Sequence, residues 1–292
     1  MMLWVFIFIL LLLCGLGAVA FVTLLERKLL GLSQIRLGPN KLILLGVLQP
    51  VLDGLKLLLK ETLHMLLAQS FLLAIGPMIV LLIFFIILGL LLPWAGSGVL
   101  MNHYSFLLLF VVLGLGTYSI MVIGWASTSP FSKMGSLRSM LQSLSFEVAL
   151  VLVFFFPLFL FSSLSMKNEM EGGIELFPWA LTWVFLVLME SNRAPFDLLE
   201  GESELISGFN IEMSSTLFVF IFLSEYGTLM ALGVLTSIGL QGGLSMASMS
   251  AVVISLFIRS CYPRVRYDVL MSMMWQAILP LSLVMLLLTM AV

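Results

Sequence analysis

Eight stretches of this sequence are apolar enough to sit in lipid, and all but the shortest are long enough to cross a bilayer, which leaves the chain few architectures. They fall at 2–25, 70–92, 104–125, 140–161, 173–189, 217–235, 246–258 and 269–290, the seventh being the short one. A helix rises 1.5 Å per residue and a hydrocarbon core is about 30 Å thick, so roughly 20 apolar residues span it. Inside lipid each backbone N–H and C=O must find its partner within the protein, which permits only helices or closed barrels. Unbroken apolar runs of this length predict helices. The expected fold is all-α, a single integral membrane domain over 1–292 with eight transmembrane helices. The start of the chain runs straight into apolar sequence with no basic segment and no small-residue cleavage site, which predicts a retained span and no presequence.

The first polar connection, 26–69, contains ERKLLGLSQIRLGPNK and then VLQPVLDGLKLLLKET. Leu48, Val51, Leu52, Leu55, Leu58 and Leu59 share one helical face, while Gln49, Asp53, Lys56 and Lys60 share the other. That pattern predicts an amphipathic helix lying in the membrane interface, with Pro50 near its start. Two readings stay open for it: a surface spacer, or a wall of a pocket for an amphiphilic ligand, together with Glu26, Arg27, Gln34, Arg36 and Asp53.

Charge distribution gives the orientation. Of the thirteen Lys and Arg residues, all but Lys167 fall in the loops after the first, third, fifth and seventh spans. By the positive-inside rule those odd-numbered loops face the cytoplasm-like side and both termini lie opposite.

The same side receives the acids of 190–212, ESNRAPFDLLEGESELISGFNIE. Glu190, Asp197, Glu200, Glu202, Glu204 and Glu212 meet one base there, Arg193, in a chain that is 62% hydrophobic and only 10% charged. An acidic loop, 190–216, bathed in solvent would explain part of this. It would not explain Glu147 within the fourth span or Glu225 within the sixth, because a carboxylate near a bilayer centre costs roughly 2.5 to 3.5 kcal/mol. Glu147, Glu190 and Glu225 read as a series of ionisable groups entering the membrane, with Tyr226, Ser145 and Ser224 available for hydrogen-bonded steps between them. The alternative is helix packing, each acid bonded to a nearby hydroxyl or arginine. Arg138, Arg193 and Arg266 are the candidate ion-pair partners, whereas Arg259 and Arg264 fit ordinary juxtamembrane anchoring.

Other chemistry is set aside on composition. Cys14 and Cys261 are too few for an all-protein iron–sulfur site and lack the paired spacing of zinc ligands. A net charge of −2 with no basic stripe argues against nucleic acid. Gly15, Gly17 and Ala20 match a dinucleotide fingerprint, but inside a continuous apolar helix rather than at a strand-to-helix turn.

ERKLLGLSQIRLGPN, VLQP with LKLLLKE, ESNRAPFDLLEGESELISGFNIE, FLSEYG, and YPRVRYDVLM with WQAILPL together resemble the subunit 1 family of respiratory complex I, NADH:ubiquinone oxidoreductase, and its bacterial H-subunit relatives. The resemblance covers nearly the whole chain. It implies a core membrane subunit of the mitochondrial inner membrane, its odd-numbered loops on the matrix side, contacting the lipid bilayer and the other membrane and hydrophilic-arm subunits. It implies ubiquinone as substrate, with flavin, iron–sulfur clusters and any metal carried elsewhere. Positions matching Arg27, Arg36 and Asp53 would lie around the quinone passage, framed by spans one and six and the interfacial helix. Those matching Glu147, Glu190, Asp197, Glu200, Glu202, Glu204, Glu212 and Glu225 would form a path of carboxylates coupling quinone reduction to proton translocation.

Some positions depart from the family pattern. Leu32 and Leu37 replace a phenol and a base near the proposed entrance, Ser272 and Gln276 stand where a His and a Lys are common, and Met213 replaces a frequent Tyr. Rival readings are the membrane subunit of an energy-converting hydrogenase, a proton-coupled solute carrier, and a scaffold whose acids only pair with partner arginines.

Overall fold

A computed structural model describes residues 2–41, 46–61, 69–91, 104–160, 177–197, 208–241 and 246–291. The described residues contain helices and no strands. In chain order these are α1 (Met2–Ser33), α2 (Gln49–Leu58), α3 (Ser70–Leu91), α4 (Ser105–Ala126), α5 (Pro130–Leu160), α6 (Phe177–Glu190), α7 (Ser215–Gln241), α8 (Met246–Cys261), α9 (Tyr267–Met273) and α10 (Leu279–Ala291). Among the described residues, each expected apolar stretch forms a helix over most of its length. Helices α3, α4, α5, α7 and the combined run Tyr267–Met290 are long and apolar enough to cross a membrane, while the apolar parts of α6 and α8 are shorter. The chain is an all-α polytopic membrane protein.

Several helices outrun their apolar stretches. Helix α5 begins ten residues before the expected 140, with Pro130 at its first position, where a missing N–H costs nothing. Its polar half is stable because the serines bond their own helix: Ser136 donates to the Lys133 carbonyl at 2.9 Å, Ser139 to Ser136 at 2.8 Å and Ser145 to Gln142 at 2.7 Å. Helix α1 likewise continues through ERKLLGLS to Ser33.

The last span is locally widened ahead of Pro280. Met274–Ile278 is a π-helical turn between α9 and α10, and the Leu279 N–H bonds the Met274 carbonyl. This one-residue widening precedes the proline, whose ring would otherwise crowd the preceding turn.

Helix α7 is central and packs on α1, α2, α3, α6 and α8, while α5 packs on α4, α6 and α10. In lipid, helices associate by close packing rather than by escape from water. Phe154 sits among Phe106, Phe110, Trp179 and Trp183, and the two indoles stack at 5.5 Å and 15°. Where α5 meets the 3₁₀ turn Gly208–Asn210, a Cβ at Gly135 would stand 2.8 Å from the Gly208 Cα, so two glycines let one backbone touch another. Gly208 itself has φ +57°, a conformation that favours glycine.

Candidate functional site

Three helices supply most of the lining of a common pocket of about 510 Å³, to which Arg193 and, from α8, Arg259 are added. Helix α1 contributes Leu16, Val19, Ala20, Thr23, Glu26, Arg27 and Leu30; α7 contributes Phe218, Val219, Phe222, Leu223 and Tyr226; α2 contributes Pro50, Asp53, Gly54 and Leu57. These spacings of three and four are what a helix needs to line a cavity. The apolar stripe of α2 does not turn inward: Val51, Leu52, Leu55, Leu58 and Leu59 are exposed.

Charge is concentrated at two places in this pocket. Between α1 and α2, Arg27 pairs with Asp53 at 2.6 Å, and Gln49 donates to the other Asp53 oxygen at 2.9 Å. Between α1, α7 and α8, the buried Glu26 is a hub. It accepts from the Tyr226 hydroxyl at 2.5 Å, pairs with Arg259, and has Arg193 at 3.8 Å. The Arg193 guanidinium lies 4.2 Å from the Tyr226 ring centroid, a cation–π geometry.

Gln34 and Arg36, expected beside Arg27 and Asp53, do not line the pocket; both are exposed. Helix α1 ends at Ser33, and Ile35 takes φ +55° as the chain reverses, with the Arg36 N–H bonded to the Gly31 carbonyl at 2.9 Å. A β-branched residue in the left-handed region is an outlier and marks a tight turn away from the pocket. Arg259, expected only as a juxtamembrane anchor, pairs with Glu26, which no sequence pattern marks as a centre. The signal that could have flagged Glu26 is an acid about two turns before the end of a helix that continues past it.

A second, smaller cavity of about 90 Å³ lies behind the first, lined by Glu190 and Glu225 with Thr117, Ser143, Asn192, Ser224 and Thr228. One Glu190 oxygen is buried without a hydrogen-bond partner among the described residues. Consecutive residues face the two cavities: Asn192 and Glu225 line the small one, Arg193 and Tyr226 the large one. Of the hydroxyls expected to link the acids, Ser224 lines the small cavity but donates to the Ile221 carbonyl at 2.6 Å, while Ser145 is turned to Gln142 and Met271.

Glu147 lines a different hollow, yet is near enough to Glu190 for the two charges to act on each other. It lines an open groove of about 540 Å³ between α4 and α5, with Gly114 and Tyr118. A Cβ at Gly114 would overlap the Glu147 carboxyl group. Gly114→Ala is therefore expected to displace that flexible side chain with little loss of stability. The melting temperature should stay close to that of the unaltered protein, and a large drop would show that the carboxyl has no other rotamer to adopt.

The remaining candidates have diverse surroundings. Glu200, Glu202 and Glu204 lie outside the described residues. Asp197 is buried and pairs with Arg264 at 3.3 Å, so Arg264 is more than an anchor. Arg138 approaches the Tyr267 ring at 5.9 Å. Arg266, expected in an internal pair, does bond Asp268 at 3.0 Å, but both side chains are more than two-thirds exposed, at 77% and 72%. Such a surface pair adds little stability. Among the described residues no three His, Cys, Asp or Glu side chains surround a common metal position.

Glu212 is fixed in place. It is buried and accepts from the Thr128 N–H, the Thr128 hydroxyl at 3.0 Å and the Ser129 N–H at 2.8 Å, at the start of α5. Burial pushes its carboxyl up, but the hydrogen bonds from Thr128 and Ser129 outweigh this and hold it below the usual carboxylate range. A depressed value means that this contact stabilises the fold fully above about pH 5, beyond the unfolded value, and that the gain is lost as pH falls through the folded value. Glu212→Ala is expected to cost about 1–3 kcal/mol at neutral pH and to flatten the acid limb of the thermal unfolding curve against pH. An unchanged acid limb would show that the contact does not ionise.

The sequence profile described as NADH dehydrogenase matches residues 6–290. The NADH-ubiquinone oxidoreductase chain 1 of Artemia franciscana is 42% identical over 274 residues, covering 91% of each chain. The protein of the same name from Aedes aegypti is 40% identical over 94% of this chain and 91% of its own. That from Apis mellifera ligustica is 40% identical over 96% and 95%.

Proposed function

The chain belongs to the NADH dehydrogenase family, and from that premise we propose that it is the membrane subunit 1 of a respiratory NADH:ubiquinone oxidoreductase. The α1–α2–α7 pocket admits ubiquinone from the bilayer, and the carboxylates behind it couple quinone reduction to proton translocation. Flavin and iron–sulfur clusters belong to other subunits of the assembly. The protein resides in the mitochondrial inner membrane as an eight-span bundle, basic loops on the matrix side, with α2 lying in the interface.

One observation carries this reading: the two cavities share a wall whose consecutive residues face opposite ways. A change of charge in the large pocket acts on Arg193 and Tyr226, and through the same turns of chain on Asn192 and Glu225. Carboxylates held together in low dielectric do not all ionise, so a small change in their surroundings redistributes protons among them. The pocket is apolar along most of its length and of a size suited to a small molecule, which favours a lipid-soluble substrate over the hydrogenase reading.

The test is Glu225→Gln in the assembled enzyme. Electron transfer to quinone should persist while the number of protons moved per electron pair falls. Unchanged stoichiometry would take Glu225 out of the coupling path. A quinone analogue with a photoreactive head should label α1 and α7, and labelling confined to other subunits would overturn the pocket assignment.

A further inference from the structure

The ionic end of the large pocket is unbalanced. Its described lining carries Arg27, Arg193 and Arg259 against Glu26 and Asp53. Arg27 and Asp53 neutralise each other, and Gln49 occupies the remaining Asp53 oxygen. That leaves two guanidiniums for the single carboxylate of Glu26, one of whose oxygens is already taken by the Tyr226 hydroxyl. Arg193 is only 12% exposed, and its Nη2 has no hydrogen-bond acceptor among the described residues. Arg259 is more open, at 29%.

A guanidinium presents a planar fork of N–H donors that matches the paired oxygens of a carboxylate or phosphate. Surplus positive charge next to apolar walls favours an anion that can remain there, and bulk water is a poor competitor inside such a site. The rest of the lining, Leu16, Val19, Phe218 and Phe222 among it, suits a hydrocarbon chain. The layout is that of a receptor for an amphiphile with a negative head.

We propose that the Arg193–Arg259 end of this pocket is a binding subsite for the anionic head of a single-chain amphiphile, a long-chain carboxylate or alkyl phosphate, whose tail fills the apolar length of the cavity. The occupant thereby excludes quinone. This last consequence rests on the pocket being the quinone passage; the binding itself does not.

The assembled enzyme in lipid nanodiscs provides the test. A long-chain fatty acid, the alkyl phosphate, the fatty acid methyl ester and an alkyltrimethylammonium salt of equal chain length are compared as inhibitors of quinone reduction. A diazirine-bearing fatty acid reports binding directly. Labelling should fall on α1 and α7 of this chain, and carboxylate and phosphate should each bind about tenfold or more tighter than the ester, with the cation weakest. Arg259→Gln should remove most of the carboxylate's advantage over the ester. Arg259→Lys, which keeps the charge and loses the fork, should retain part of it.

If carboxylate and ester bind alike, or if the advantage survives Arg259→Gln, the proposal is overturned. Because the first comparison uses the unaltered protein, it stands even if the variant fails to assemble. Tight labelling of α1 and α7 without competition against quinone would support the subsite and count against the quinone passage. A preference for phosphate over carboxylate would identify a lipid phosphate as the natural head, and the reverse a free fatty acid.

Discussion

Glu26→Ala is expected to abolish most quinone reduction by the assembled enzyme while leaving NADH oxidation with a water-soluble acceptor intact. Glu26 is nearly inaccessible, with its side chain 4% exposed, and its carboxylate lies within reach of both Arg193 and Arg259. Removing one partner of a buried ionic group leaves the others uncompensated, at a cost of about 3–5 kcal/mol. The Tyr226 hydroxyl also loses its acceptor. The two arginines would then repel each other, and the α1–α7–α8 junction that shapes the pocket would open. Glu26→Gln is the milder case, because an amide oxygen can still accept from the phenol. Both activities are measured on one preparation, so loss of the soluble-acceptor reaction as well would indicate failed assembly. Full quinone activity in Glu26→Ala would mean that the hub does not shape the pocket.

The second large effect is steric. Gly135→Val places branched carbon where α5 touches the 208–210 turn, and the nearest atoms are backbone: the Gly208 Cα at 2.8 Å, its carbonyl carbon at 2.9 Å and the Phe209 nitrogen at 3.1 Å from an added Cβ. Backbone on both sides has no rotamer to adopt. Overpacking costs about 1–3 kcal/mol or more, and relief requires the turn to move. Phe209 lines the small acid cavity, so displacement changes its shape as well. The expected result is a clear drop in melting temperature together with weakened pumping. A melting temperature equal to that of the unaltered protein would show that the turn yields freely.

The positions of the helices were legible because a long apolar run has few options in lipid. Their ends were less so. The serine-rich start of α5 is polar by composition, yet its hydroxyls are satisfied by carbonyls of the same helix, and hydropathy carries no trace of that. The acids were legible too, since charge stands out against such a background. Their partners were not. Glu26 meets Tyr226 and Arg259 across some two hundred residues of sequence, and a basic residue after a span is ordinarily an anchor reaching toward the headgroups. Glu147, Glu190 and Glu225 read as one series; Glu190 and Glu225 line a common chamber, while Glu147 lines a neighbouring groove within electrostatic reach of Glu190. Glu212 illustrates a further limit, because a carboxylate that caps a helix and one that carries protons are spelled with the same letter.

Glu225 and Tyr226 are neighbours on α7, yet each belongs to a different hollow. Successive positions on a helix point about 100° apart, so a single deleted residue earlier in α7 would rotate the pair out of alignment, carrying the phenol away from Glu26 and the acid away from Glu190. The segment between 215 and 225 therefore cannot change its length without uncoupling the two hollows.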